Sequence, residues 1–147
     1  MKIIKAEVQH ITAIAPLFDQ YRVFYGQPSD LSGAKAFIRD RVQMKESTIF
    51  IAYDDEQPVG FMQLYPLFTS IGMQRKYVLN DLFVIPSFRT QGVGKALMQQ
   101  AIQFAKEERA NQISLQTSIE NHPAKALYER MGMQMDLEFD NYILRLV

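Results

Sequence analysis

The segment Leu79-Asn80-Asp81-Leu82-Phe83-Val84-Ile85-Pro86-Ser87-Phe88-Arg89-Thr90-Gln91-Gly92-Val93-Gly94-Lys95-Ala96-Leu97 constrains this chain more than any other. It begins as an apolar strand and passes through a turn with two glycines two positions apart. It then opens onto an amphipathic helix, on which Val93, Leu97, Ala101, Ile102 and Ala105 share one face. A short strand, Ile113 to Thr117, follows that helix. A strand, helix and strand joined this way form a right-handed parallel crossover, because a twisted strand packs back onto its sheet only with that hand. At least one parallel pair, with a helix lying on the sheet, is therefore expected.

The flanking sequence supplies the rest of the sheet. Lys2 to Ala6 reads as a first strand. From about Gln9, Ile11, Ile14, Phe18, Tyr21 and Tyr25 follow helical spacing, and Gly26-Gln27-Pro28 closes the segment. Pro16 lies inside it and either kinks that helix or marks a later start. Ser29 or Asp30 caps a second helix reaching about Lys45. Thr48 to Tyr53 and Val59 to Tyr65 form a hairpin about Asp54-Asp55-Glu56-Gln57-Pro58. Pro66 to Gly72 reads as a second connection, before a strand from Tyr77 to Ile85. Near the end, Ala124, Leu127, Tyr128 and Met131 mark a short helix, Pro123 to Met131, with Gly132 in the place of a C′ glycine. Met133 to Val147 reads as two strands about Asp140-Asn141. The predicted class is α/β, a mixed sheet flanked by helices in the order β-α-α-β-β-β-α-β-α-β-β. With no linker or repeat in 147 residues, the expectation is one domain spanning 1–147.

Composition removes several function classes. Sixteen basic and sixteen acidic residues cancel, so neither nucleic acid nor a membrane surface is an expected partner. The chain has no cysteine, which excludes disulfides, thiolate metal sites and a cysteine nucleophile, and no metal is expected. No apolar run is long enough to span a bilayer and the N-terminus is too polar for a signal peptide, so the expected location is cytoplasmic.

The glycine turn suits an anion. Glycine admits close backbone approach, the first N–H groups of a helix are unpaired, and the helix dipole favours negative charge there. Arg89 and Lys95 bracket the turn with positive charge. A Walker A loop is excluded, because Arg89 and Ala96 stand where a glycine and a Ser/Thr are required. A dinucleotide fingerprint is excluded because Leu97 stands at the third glycine position. A strand-helix turn that merely needs glycines remains the bland alternative for G-x-G alone.

Arg89-x-x-Gly92-x-Gly94 after Leu82-Phe83-Val84 resembles the acyl-CoA motif of the GNAT N-acetyltransferase superfamily. Asn121-His122-Pro123-Ala124-Lys125-Ala126-Leu127-Tyr128-Glu129-Arg130-Met131-Gly132-Met133 resembles its other signature, N-x-x-A-x-x-L-Y-x-x-x-G-[FM]. The element order matches that fold over nearly the whole chain. The Leu79 to Val84 strand and the aromatic tail look most like a bacterial branch of small histone or polyamine acetyltransferases.

That resemblance implies direct transfer of acetyl from acetyl-CoA to a primary amine, without an acyl-enzyme. The backbone of Gln91, Gly92, Val93, Gly94 and Lys95, with Arg89, is implied to hold the pyrophosphate. The backbone of Leu82, Phe83 and Val84 would pair with the pantetheine arm, with the Val84 N–H as oxyanion donor. Asn121 would cap its helix and touch pantetheine, and Tyr128 would contact the cofactor and protonate the departing thiolate. Asp81 is the candidate general base; the alternative is a strand residue satisfying nearby backbone or a basic side chain. Tyr21, Tyr25, Tyr65, Phe68 and Glu120 are candidates for the acceptor side, and His10 and His122 read as surface residues at helix starts. A homodimer through the C-terminal strands follows by analogy. The rival functions are a non-catalytic acyl-CoA-binding module of the same fold and, far behind, a P-loop nucleotide-binding protein.

Overall fold

Strands β1 (Lys2–Lys5), β2 (Thr48–Asp54), β3 (Gln57–Thr69), β4 (Gln74–Val84) and β5 (Ile113–Leu115) form one sheet in the order β1-β2-β3-β4-β5. The first three pairings are antiparallel and β4 with β5 is parallel, as the crossover requires. The computed structural model describes residues 1–147, which divide into two compact units, Met1–Gln116 and Thr117–Val147.

In the first unit, α1 (Ile11–Phe24) and α2 (Leu31–Gln43) cover one face of the sheet. Ile11, Ile14, Leu17, Phe18, Ala34 and Ile38 meet Ile49, Ile51, Phe61 and Phe83 there. On the opposite face lies α3 (Val93–Glu107), whose Phe104 ring packs 5.6 Å from Phe50 and 5.2 Å from Tyr77. α1 runs unbroken through Pro16, so the later start is not taken. Asp30 caps α2, accepting from the Gly33 N–H at 2.9 Å. The loop before it is pinned to α1, because Asp19 accepts from the Ser29 hydroxyl at 2.6 Å and the Asp30 N–H at 2.8 Å.

The connection expected over Pro66 to Gly72 is a correction. β3 continues to Thr69 and pairs with β4 as far as Gln74, leaving only residues 70–73 as the turn. Proline is tolerated there for a geometric reason. Tyr77, opposite Pro66, donates its N–H to Gln112 O at 3.1 Å, away from β3. In an antiparallel ladder both members of such a pair face outward, so the nitrogen of Pro66 faces away from β4. On that outward side, β2 pairing has already ended at Thr48 with Leu64.

A bulge in β4 decides which face its later side chains occupy. Leu64 pairs with Leu79 but Gln63 pairs with Asp81, so Asn80 is the extra residue. Tyr77, Leu79, Asp81 and Phe83 are all buried at alternate positions, which simple alternation would put on one face. The bulge divides them. Tyr77 lies against α3, whereas the Phe83 ring is 6.3 Å from Tyr21 of α1, with Asp81 on that same side.

The second unit holds α4 (His122–Arg130) and the tail. Asn121 caps α4, its side-chain oxygen accepting from the Ala124 N–H at 3.3 Å. Gly132, at φ +90°, closes it: Gly132 N–H donates to Glu129 O at 3.0 Å and Met133 N–H to Tyr128 O at 3.0 Å. That is the 5→2 and 6→1 pair of a Schellman ending. The two final strands expected over Met133 to Val147 do not form. An alternating apolar pattern makes a strand only where a neighbour completes its hydrogen bonds, and an isolated hairpin is marginal at best.

Candidate active site

On the α1/α2 face a cleft of about 450 Å³ opens between Phe18 and Tyr21 of α1, Phe37 of α2, Tyr65 of β3, and Asn80 and Asp81 of β4. Arg22, Asp30, Gly33 and Ala34 complete its lining. Its size is within the range of small-molecule sites. Asp81, only 3% exposed, is held by two amides: Gln63 donates to one oxygen, and Asn80 Nδ2 donates to the other at 2.9 Å. The Tyr21 hydroxyl donates to Asn80 O, the carbonyl of the bulged residue, at 3.3 Å. Burial pushes the Asp81 carboxyl above the usual aspartate range, while hydrogen bonds from Gln63, Tyr21 and Asn80 pull it back. Burial, then the Asp81 charge, likewise raise the Tyr65 phenol. A carboxylate raised this way is a stronger base than an ordinary surface aspartate.

The same bulge frees the edge of β4. β5 pairs with Tyr77, Val78 and Leu79 only, so no strand continues along β4 from Asn80 to Val84 on that side. Ile85 donates its N–H to Val59 O at 2.9 Å, toward β3. By alternation the peptide groups of Phe83 also face β3, and those of Leu82 and Val84 face the open edge. This corrects the expectation for Phe83: its backbone is taken by the ladder and its ring by the core. The Leu82 peptide group and the Val84 N–H remain on the open edge, the Val84 carbonyl being taken by Arg89.

Beyond β4, Pro86–Phe88 make one tight helical turn, and the loop then takes left-handed conformations at Thr90 (φ +61°) and Gly92 (φ +86°). Gln91 ties the loop by donating to Ser87 O at 2.9 Å. Arg89 lies back along the strand end: Nε donates to Val84 O at 2.9 Å, and the guanidinium stands 5.4 Å from the Phe24 ring and 5.5 Å from that of Phe83. Gly92 is the N-cap of α3 and supplies no capping side chain. The first helical bond runs from Ala96 N–H to Gly92 O at 3.0 Å, so the N–H groups of Val93, Gly94 and Lys95 precede it. Nothing lies within 4 Å of where a Gly92 side chain would begin. Uncapped donors, an exposed Lys95 and open space above a glycine fit a pyrophosphate.

Asn121 and Tyr128, with Glu120, belong to the second unit, on and before α4. Of the aromatic candidates, Tyr21 and Tyr65 line the cleft. Tyr25 packs edge-on against Tyr21, and Phe68 stands 71% exposed beneath Arg75. His10 accepts the Glu7 N–H and His122 is the first residue of α4, both surface helix-start roles. Gln63 and Ser47 escaped the sequence reading. The available signal was one amide inside the otherwise apolar run Val59 to Tyr65.

The sequence pattern of the Acetyltransferase (GNAT) family matches residues 14–133. The chain belongs to the GNAT acetyltransferase family. It is an acetyl-transferring enzyme of that family, which generally uses acetyl-CoA. Among similar proteins, the uncharacterized N-acetyltransferase YhfO of Bacillus subtilis is 46% identical over 144 residues, covering 98% of this chain and 97% of that one. A probable acetyltransferase of Haemophilus influenzae is 35% identical over 114 residues, 77% of this chain and 78% of its own. The crystal structure of a probable acetyltransferase superposes with a TM-score of 0.95 at 40% identity, covering 100% of this chain and 99% of that one. The GNAT fold is thereby established for this chain. No helix is long and apolar enough to cross a membrane.

Proposed function

We propose that this GNAT enzyme transfers the acetyl group of acetyl-CoA directly to a primary amine bound in the Phe18-Tyr21-Phe37-Tyr65 cleft, within a single N-acetyltransferase domain spanning 1–147. The acceptor is a small amine, a polyamine, or a peptide lysine or N-terminus. The observation that carries this reading is a buried carboxylate, Asp81, placed by the β4 bulge in an aromatic-lined cleft beside an open strand edge.

Acetyl-CoA supplies a thioester carbonyl open to attack by nitrogen. The backbone of Gln91 to Lys95, with the unpaired N–H groups of Val93, Gly94 and Lys95 foremost, binds its pyrophosphate, and the Leu82 peptide group and Val84 N–H pair with its extended arm. Asp81 takes the ammonium proton, directly or through water, leaving the lone pair free. The Val84 N–H stabilises the negative charge that develops on the carbonyl oxygen as the C–N bond forms. The C–S bond then breaks, Tyr128 protonates the thiolate, and the second proton shed by the nitrogen as it becomes an amide passes through water to restore the phenol. The thiol's pKa of about 8.5 lies below the phenol's of about 10, so this step needs a site that favours thiolate discharge. Asn121 touches the pantetheine as well as capping α4. No metal takes part.

The test is thiol release from acetyl-CoA with a panel of primary amines. Turnover with at least one amine is expected, lost in Tyr128→Phe while CoA binding persists. Tight CoA binding without thiol release for any acceptor would instead select the non-catalytic binding module. A cytoplasmic location and a homodimer belong to the proposal. The exposed apolar tail side chains Leu137, Tyr142, Leu144 and Leu146 support the dimer.

A further inference from the structure

Gln63 is a completely buried amide, 0% exposed, in the middle of β3. Both of its ends are engaged: Oε1 accepts from the Ser47 hydroxyl at 2.7 Å, and Nε2 donates to Asp81 Oδ2. The chemistry fixes the direction of this chain. An ionised carboxylate only accepts, so the end of the amide facing Asp81 must be the NH₂. The other end is then the carbonyl oxygen, and Ser47 must donate to it. Ser47 stands just before β2, outside the cleft lining, and reaches the carboxylate only through Gln63.

We propose that Gln63, oriented by Ser47, is a positioning residue that holds the Asp81 carboxylate in the plane from which it faces the acceptor cleft. This rests on the reading of Asp81 as the base. Two amides clamp the carboxylate, Gln63 on one oxygen and Asn80 on the other, so the group cannot rotate without breaking a buried hydrogen bond. The Asn80 clamp comes from the bulge itself, whereas the Gln63 clamp comes from the neighbouring strand and depends on Ser47. Losing Ser47 removes the donor that holds the amide's oxygen, so the Gln63 NH₂ keeps its bond to Asp81 less firmly.

The other titratable and charged groups around the carboxylate are Tyr21 and Arg22 on α1, Asp30 and Arg41 on α2, Tyr65 on β3, and Glu46 ahead of β2. Arg41 and Glu46 pair with each other at 3.1 Å, and Arg22 lies 3.7 Å from Asp19. None of them lies between Gln63 and Asp81, so a change at Gln63 or Ser47 acts on Asp81 through the hydrogen bond.

The experiment is a carboxyl-carbon NMR titration of the full chain labelled at aspartate, with the Asp81 signal assigned by its disappearance in Asp81→Asn. The expected result is an Asp81 midpoint that moves to higher pH in Gln63→Leu, because a donor to the charged form is lost while burial remains. The same direction with a smaller shift is expected in Ser47→Ala, and return to the wild-type midpoint in Ser47→Thr, which restores the hydroxyl. Ser47 is only partly buried, so its variants keep the test sound if Gln63→Leu does not fold. An Asp81 midpoint unchanged in Ser47→Ala, or one not restored by Ser47→Thr, overturns the proposal. Because the titration needs no acceptor, failure of the amine panel and failure of the positioning role are read separately.

Discussion

Gly92 shows how one residue can meet a backbone demand and leave room for the proposed ligand. At φ +86° it occupies a conformation that L side chains adopt only with strain of about 1–2 kcal/mol, yet no atom lies within 4 Å of its missing Cβ. Gly92→Ala should therefore lower stability by roughly that strain and still leave a CoA-dependent rise in melting temperature. Gly92→Glu carries the same strain and places a carboxylate in the proposed pyrophosphate site, so the CoA-dependent rise should vanish. Melting curves with and without CoA check both; an unchanged rise in Gly92→Glu means the phosphate lies elsewhere. The glycine turn and the helix start were legible in the sequence, because a glycine pair at a helix start has few physical uses. Phe83 was not legible to the same degree. Its place in the motif pointed to the cofactor, but strand alternation turns its backbone toward β3.

At the scale of elements, the extra residue in β4 does the most. Asn80 offers its carbonyl to Tyr21 and its amide to Asp81, and beyond it β4 no longer pairs with β5. Deleting Asn80 should leave a regular ladder with Gln63 still opposite Asp81, and so preserve the fold. It should also straighten β4 toward β5, closing the edge at Leu82 and Val84. The expected outcome is a native far-UV spectrum with CoA affinity lowered at least tenfold, measured by calorimetry. The α1–α2 connection gives a pH-dependent test. The Ser29 hydroxyl, then the Asp30 N–H, hold the Asp19 carboxyl below its ordinary value of 3.8. A depressed folded-state value means this contribution to stability is present above pH 3.8 and is lost as pH falls through the folded value. Ser29→Ala should thus melt below wild type at pH 7, and the difference should shrink in acid below pH 3.8. Melting temperature against pH for the two proteins checks it.

For the whole molecule, binding that favours only the folded chain must raise its stability by mass action. At a hundredfold excess over Kd this amounts to about 2.7 kcal/mol. For a chain of this length that is about 5–10 °C in melting temperature. CoA should produce it, and ATP with magnesium should not, since the loop lacks the Walker glycine and Ser/Thr. The proposed dimer is checked by sedimentation, which should report twice the 17.0 kDa chain mass, falling to the monomer when residues 133–147 are removed.

The sequence by itself determined the local events: where α3 starts, that Asn121 caps α4, that Ser29 or Asp30 opens α2, that Gly132 ends α4, and that two motifs belong to an acetyltransferase. Each depends on residues only a few positions apart, whose backbone preferences and hydrogen bonds act locally. Only the tertiary structure decided the matters that depend on pairing between distant strands. Tyr77, Leu79, Asp81 and Phe83 look like one buried face in the sequence, and the register against Leu64 and Gln63 divides them between two. Pro66 looks like a strand end, and the end of β2 opposite Leu64 makes it a strand interior. Met133 to Val147 carries the pattern of strands without forming any, because strand hydrogen bonds belong to the pair and not to the segment.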